Sequence, residues 1–175
     1  MKKMHSLFAG IAVLLIALLS YLTYSNDAER AIRQQVKSIA RDCEKQEGQG
    51  VIRSATRAVD LPHYFTSNAT LQLGGHYPFT PSVRELPALF SRIHMATDTL
   101  KINISGIDFM PRTNRYVMES RIAAEAILKR GEAEDRVVDE FLVRWKKSDG
   151  AWLIDSARSD STIQPVKSAA GILQD

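Results

Sequence analysis

The sequence predicts an α+β fold in which three helices pack on a strongly curved, mostly antiparallel sheet. Between residues 100 and 163, apolar and polar side chains alternate over four segments separated by turn residues, which is typical of strands with one buried face. Upstream, three segments space their apolar residues at helical intervals and are bounded by capping residues, glycine or proline. A chain of 175 residues is long enough for one such domain with its own core.

Two helices are predicted first. Asn26 and Glu29 form a capping-box-like start, and apolar residues then recur at helical spacing to about Gln46. After glycines break this helix, a second helical stretch begins at Val51 and should end before Pro62, since the residue preceding a proline disfavours helical backbone. Each helix has one apolar stripe for packing on a sheet.

A short strand and a third helix follow. Apolar residues alternate from Ala69 to Leu73, which predicts the strand. Ser82 and Glu85 form a capping box. Pro87 lies too far inside a helix that starts directly after this cap, so its regular part is expected to begin one turn later.

The four-strand meander begins at Leu100, with a phase change near Gly106 that predicts a β-bulge. The second strand extends from Arg115 to about Lys129. The third is apolar on both sides in its middle, which favours a central position in the sheet. Ser148-Asp149-Gly150 predicts a tight hairpin into the fourth strand, because Asp-Gly tolerates positive φ. Trp145 and Trp152 flank this turn and are expected in the core.

The amino terminus predicts membrane targeting. Lys2 and Lys3 precede an apolar run from Leu7 to Leu22. We favour an uncleaved single-pass anchor over residues 1–25 in the inner membrane, with the domain extracytoplasmic or periplasmic, because small residues suited to cleavage are lacking. Secretion after signal cleavage is the alternative. The domain is expected to span residues 26–164, and residues 165–175 to form a loose tail.

Several function classes lack sequence support. Two of the 23 Lys and Arg residues precede the apolar run, which leaves 21 basic against 20 acidic residues and no basic stripe for nucleic acid. No cluster of His, Cys or carboxylates has metal-ligand spacing, and no phosphate-binding or dinucleotide motif implies a cofactor. Cys43, the single cysteine, is interpreted as a small buried hydrophobe rather than a reactive thiol.

Several local phrases resemble the nuclear transport factor 2-like superfamily of cone-shaped α+β domains, which includes SnoaL-like and ketosteroid isomerase-like members. The phrases are Leu61-Pro62-His63-Tyr64-Phe65 before Ala69-Thr70-Leu71, the helix from Arg84-Glu85-Leu86 to Ile93, and Asp149-Gly150-Ala151-Trp152-Leu153-Ile154. The resemblance covers roughly Asp27 to Ile163 and implies a sheet wrapped around helices, with a pocket at its wide end. The superfamily's catalytic residue sets, an acidic base with hydrogen-bond donors or a His and Asp pair, do not map onto this sequence.

The sequence therefore offers candidates and assigns no catalytic residue. The titratable side chains expected near a pocket are His63, Tyr64, His94, Asp98 and Asp108. Arg121, Glu125 and Arg144 share one polar face of the second and third meander strands. Cross-strand charge pairing is the ordinary explanation of such a face. The more specific hypothesis is that the face forms an interface with a second copy of the chain or with an envelope protein complex.

Two hypotheses about function follow. The first is a non-enzymatic, membrane-anchored domain that binds a small apolar ligand or a protein partner, including a second copy of the chain. The topology also resembles bitopic inner-membrane components of type IV secretion systems, which is a specific version of a scaffold role. The alternative is a small-molecule isomerase, dehydratase or cyclase of the SnoaL-like type. That alternative requires a polar group deep in the pocket with a second titratable group in reach.

Overall fold

The structure, a computed structural model, describes residues 27–73, 79–111 and 114–160, with only the backbone described for residues 51–55. The chain divides into two units, residues 1–34 and 35–175. Helix α1 covers residues 27–43, so its first eight residues are the described part of the first unit. The buried side chains of α1 recur every three or four residues: Ala28, Ile32, Val36, Ala40 and Cys43. This stripe confirms the first predicted helix, which ends three residues earlier than expected.

The second and third helices follow their proline signals. Helix α2 covers Val51–Asp60, and a 3-10 turn, Leu61–Tyr64, takes up Pro62 in place of further α-helix. A second 3-10 turn, Val83–Glu85, precedes helix α3, Leu86–Ala96, which confirms the later start predicted from Pro87. The predicted capping box is present, since the Ser82 amide and hydroxyl lie 2.7 and 3.0 Å from Oε2 of Glu85.

In the part of the chain that the structure describes, five strands form one mixed sheet. Strand β1 covers Phe65–Gln72, β2 Thr99–Phe109, β3 Val117–Arg130, β4 Ala133–Ser148 and β5 Ala151–Ser159. The order across the sheet is β1-β5-β4-β3-β2, with β1 parallel to β5 and the other three pairings antiparallel. The α+β fold class is therefore confirmed, and so is the central position of the third meander strand, here β4.

The expected irregularities also occur in the sheet. The pairing of β2 with β3 shifts between Ile104 and Gly106, where the bulge was predicted. Asp149 and Gly150 have φ values of 48° and 85° in the two-residue turn between β4 and β5, as positive-φ hairpin turns require.

The strand register defines two faces of the sheet. Side chains of directly paired residues lie on the same face, and successive residues alternate between faces. The inner face contains buried residues such as Met118, Ile122, Val143 and Trp145. The outer face contains the charged residues of the same strands, including Arg121, Glu125 and Arg144, as the alternation predicted.

Three expectations lie outside the described residues: the apolar run from Leu7 to Leu22, the helix cap at Asn26 and the tail at 165–175. Within the ranges that the structure does describe, no helix combines the length and apolarity needed to cross a membrane.

Candidate functional site

The inner face of β3 and β4 is fully closed near the Asp149-Gly150 turn. Met118 and Trp145 are directly paired there and are 2% and 0% exposed. Ser120 is also inaccessible to solvent, and its Oγ accepts a hydrogen bond of 2.8 Å from Nε1 of Trp145. Because the polar atoms of this half pair with each other, it is a sealed core without room for a ligand.

Toward the other end of the same strands, the inner face becomes accessible. Ala124, Ala126 and Phe141 are half-buried, and Val137, paired with Ala126, is 52% exposed. Alanine side chains extend only one carbon from the backbone, so they cover little of the sheet surface. This second half, which we call the open inner face, consists of Ile102, Ile104, Ala124, Ala126, Val137, Asp139, Phe141 and Ser159.

Asp139 places a carboxylate on the open inner face. It pairs with Ala124, and its position two residues before Phe141 puts its side chain on the same face as Val143 and Trp145. Its Oδ2 accepts a 2.5 Å hydrogen bond from the Ser159 hydroxyl, the last residue of β5. Between the Ala126–Val137 and Met118–Trp145 pairs, Asp139 is the sole ionisable side chain on the described inner face.

Asp139 is not among the site residues predicted from the sequence, although the sequence contains a signal for it. In the segment Val137-Val138-Asp139-Glu140-Phe141, the aspartate occupies the phase of the apolar residues that continue to Trp145. A carboxylate in the apolar phase of an amphipathic strand is the kind of buried polar residue that marks a site. The two valines before it obscured that phase.

A cleft of about 340 Å³ borders the open inner face where α1 passes over the edge strand β2. It is lined by Lys37, Ala40, Arg41, Glu44, Ile102, Asn103 and Ile104. Ile102 and Ile104 belong to the open inner face, and Glu44 Oε1 accepts a hydrogen bond of 3.2 Å from the backbone N–H of Ile102. Because Ile104, Ala124 and Asp139 lie side by side on neighbouring strands, roughly 10 Å separates this cleft from the carboxylate.

Two of the predicted pocket residues, Tyr64 and His94, are bonded to consecutive residues at the end of α1. The Tyr64 hydroxyl donates a 2.7 Å hydrogen bond to Oδ2 of Asp42. Burial and this bond raise the pKa of Tyr64 to about 12, because both favour the protonated phenol. The phenol therefore stays protonated at neutral pH, and the bond links the 3-10 turn before β1 to helix α1.

His94 is 3% exposed, and its Nε2 lies 2.8 Å from the carbonyl oxygen of Cys43. A carbonyl only accepts hydrogen bonds, so Nε2 is the donor of this bond. Nδ1 is buried and has no partner among the described residues. His94 is thus a packed core histidine that contacts Phe90 edge to face, with ring centroids 6.4 Å apart.

Lys45 also contributes to this junction, the place where the end of α1 meets α3 and β2. It is not among the residues predicted from the sequence. Its ammonium donates hydrogen bonds to the carbonyl oxygens of His94, at 2.6 Å, and Thr97, at the end of α3. A cation at this position satisfies carbonyls that lack helical partners and complements the helix dipole. The backbone of Lys45 also pairs with Leu100, so one residue joins α1, α3 and β2.

The thiol of Cys43 lies in the same junction. Burial, followed by the nearby Asp42 and Glu44 carboxylates, raises the pKa of Cys43 to about 12. The interpretation of this cysteine as a buried hydrophobe is confirmed by its 4% exposure. Trp145 and Trp152 are likewise core residues, at 0% and 4% exposure.

The other three pocket candidates lie apart from the open inner face. The side chain of His63 is 80% exposed beside Asp60. Asp98 is exposed, and its Oδ2 accepts a 2.6 Å hydrogen bond from the Gly131 N–H in the β3–β4 turn. Asp108 is exposed on the outer face, where it pairs in register with Arg121. The five predicted side chains therefore do not converge on one cavity.

The three interface candidates form ion pairs across the outer face. Arg121 lies 3.8 Å from Glu140 and 3.5 Å from Asp160. Glu125 lies 3.6 Å from Arg136, and Arg144 lies 3.8 Å from Asp155. Partly exposed pairs at these distances each contribute about 0–1 kcal/mol to stability. Apolar side chains such as Val138, 48% exposed, lie between them, so the face is mixed rather than purely polar.

The described residues limit the chemistry available at the open inner face. They contain no group of three or more His, Cys, Asp or Glu side chains that could hold a metal ion. Among the described residues, Asp139 has the uncharged Ser159 hydroxyl as its hydrogen-bond partner. General acid–base catalysis normally uses a second positioned titratable group. The geometry suits reversible binding of a small molecule against an apolar surface with one carboxylate.

No protein-family model matches the sequence, and neither does any curated protein sequence. Solved structures do match. A scytalone dehydratase-like protein from Novosphingobium aromaticivorans has a TM-score of 0.64 at 12% identity, covering 83% of this chain and 97% of that one. A type 2 hexachlorocyclohexane dehydrochlorinase, LinA, has a TM-score of 0.57 at 10% identity, covering 85% and 98%.

A third similar structure is the β subunit of a ring-hydroxylating dioxygenase-like protein, also from N. aromaticivorans. Its TM-score is 0.59 at 12% identity, with 80% of this chain and 93% of that chain covered. At such low identity the likeness shows the fold alone, and the present chain has this α+β fold.

Proposed function

Starting from the nuclear transport factor 2-like fold, we propose that this protein is a non-enzymatic domain that binds a small, largely apolar ligand on its open inner face. One observation carries the proposal: the inner face is buried around Trp145 but accessible around Ala124 and Ala126. The accessible part contains Asp139, the only carboxylate on the described inner face between the Ala126–Val137 and Met118–Trp145 pairs. Apolar concave surfaces with a few polar groups are the usual form of ligand sites.

Filling the space above the alanines tests this proposal. Ala124→Leu adds three carbons to the open inner face, whereas Ala123→Leu adds them to the outer face of the same strand. We expect a small molecule in the organic extract of the purified full-length protein, detected by mass spectrometry at a stoichiometric level. The Ala124→Leu protein should lose it and the Ala123→Leu protein should retain it. Equal retention by both variants would place the ligand elsewhere.

An enzymatic role is the alternative, as an isomerase, dehydratase or cyclase. The scytalone dehydratase-like protein and the LinA dehydrochlorinase give this alternative its support, since both share the fold. Against it, the described surroundings of Asp139 offer one neutral hydroxyl rather than a matched acid or base. Conversion of the extracted ligand by the wild-type protein, abolished in Asp139→Asn, would replace the binding proposal with the enzymatic one.

We also propose that residues 1–25 anchor the domain in the inner membrane with the domain outside the cytoplasm. The support is the apolar run from Leu7 to Leu22 behind Lys2 and Lys3. Mass spectrometry of the intact protein from a membrane fraction should then give the full-length mass. Recovery of a shortened chain in the soluble fraction would favour the cleaved-signal alternative.

A second candidate function is protein interaction through the outer face, with a second copy or with an envelope complex. It is favoured by the exposed Val138 among charges of both signs, which could pair with the same surface of another copy. Charge reversal at Arg121 and Arg144 should reduce self-association in sedimentation experiments, while reversal of the exposed Lys37 on α1 should not. An unchanged oligomeric state would exclude this face as the interface.

A further inference from the structure

We infer that the ligand of the open inner face contains a protonated amine, which Asp139 binds, attached to an apolar body that lies over Ala124 and Ala126. The inference rests on the proposed binding function and adds the chemical class of the ligand. It follows from the charge environment of this carboxylate compared with that of four carboxylates on the outer face.

Four carboxylates on the outer face of the meander have cationic partners. Glu134 accepts from Arg136 at 2.8 Å and lies 3.1 Å from Lys129, and Glu125, Glu140 and Asp155 each face an arginine. Asp139 differs, because its contact among the described residues is the neutral Ser159 hydroxyl on Oδ2. A carboxylate accepts about four hydrogen bonds. Unused acceptor capacity therefore remains beside an apolar surface.

The neighbours of Asp139 select the rest of the ligand. Along β4 the carboxylate lies between Val137 and Phe141, and across the sheet it lies beside Ala124 and then Ile104. These four side chains offer no donor to a second polar group, so a carboxylate or phosphate placed directly over them would meet an apolar surface and a like charge. A cation with a hydrocarbon body complements both features, since an amine donates charge-assisted hydrogen bonds to a carboxylate.

The probes are phenethylamine, its isosteric alcohol 2-phenylethanol, and 3-phenylpropionate, which places a carboxylate on the same phenylethyl body. They are titrated into full-length protein in a nonionic detergent, with alanine methyl groups labelled with carbon-13. Shifts of the Ala124 and Ala126 methyl signals locate binding. We expect the amine to bind about tenfold more tightly than the alcohol, as a charge-assisted hydrogen bond implies, and the carboxylate to bind least.

Asp139→Asn keeps the shape and removes the charge. It should weaken amine binding about tenfold and leave alcohol binding within about twofold, because the alcohol does not depend on the charge. Asp108→Asn, an exposed aspartate on the outer face, is the matched control and should change neither. An Asp139→Asn variant with unchanged alanine methyl spectra confirms that the fold is retained. If that variant unfolds, the wild-type preference for amine over alcohol still decides.

The possible results distinguish the amine inference from the proposed binding function on which it rests. Equal binding of amine and alcohol at the alanine methyls would overturn the amine inference and leave the binding site in place. If no probe moved these methyl signals, and Ala124→Leu had no effect on a co-purifying molecule, both would be overturned.

Discussion

Removing the Ser120 hydroxyl tests whether the sealed half of the sheet depends on its single buried polar pair. In Ser120→Ala, Nε1–H of Trp145 loses the acceptor 2.8 Å away at a site where both residues are 0% exposed. A buried donor without a partner costs about 1–3 kcal/mol, so we expect the free energy of unfolding to fall by about 2 kcal/mol. At roughly 3–5 °C per kcal/mol for a domain of this size, Tm should fall by roughly 6–10 °C.

Chemical denaturation with tryptophan fluorescence measures this loss, and Ser105→Ala on the exposed side of β2 is the matched control, expected within about 0.5 kcal/mol of wild type. Trp145→Phe removes the donor, so in the double variant Ser120→Ala costs less than it does alone, by about 1–2 kcal/mol. A loss below about 0.5 kcal/mol for Ser120→Ala, or strict additivity in the double variant, would refute the reasoning.

Four further predictions concern the helix junction and the hairpin. Lys45→Met should lower the unfolding free energy by about 1.5–3 kcal/mol because two carbonyls lose a charged donor, whereas Lys37→Met on α1 should be near neutral by denaturation. Gly150→Ala should cost about 1 kcal/mol at φ 85°, and a neutral result would show that the turn relaxes. The pKa of Tyr64 is raised from 10.0 to about 12. The stabilisation that this shift gives is fully present below pH 10 and is lost as the pH rises toward 12, so in Tyr64→Phe the unfolding free energy should depend less on pH over this range. Because burial raises the pKa of Cys43 to about 12, Ellman's reagent should label it only on unfolding, and rapid native labelling would contradict its packing.

The elements with local causes could be predicted from the sequence. Pro87 and the Ser82 cap determine where α3 begins, Gly106 marks the bulge, and Asp149-Gly150 marks the hairpin; each depends on the backbone preferences of one or two residues. These signals act within a few residues of their effect, so one sequence is sufficient to detect them.

Features that depend on distant segments could not be predicted in the same way. The parallel pairing of β1 with β5 joins residues about 85 positions apart, such as Leu71 and Ala157, and alternation gives a strand's faces but not its partner. Lys45 reaches the end of α3 by a tertiary contact that leaves no periodic signal. Asp139 was hidden because apolar residues occupy both phases of β4 in its middle, where Val137 and Val138 are adjacent.

The placement of Asp139 on the inner face depends on the sealed half of the sheet. The two-residue turn at Asp149-Gly150 sets the register of β5 on β4, and the Trp145–Ser120 bond holds β4 against β3. A one-residue slip in β4 would exchange Asp139 with Glu140 and turn the inner carboxylate outward. The buried core near the hairpin therefore does more than stabilise the domain, since its register determines which carboxylate lies on the inner face.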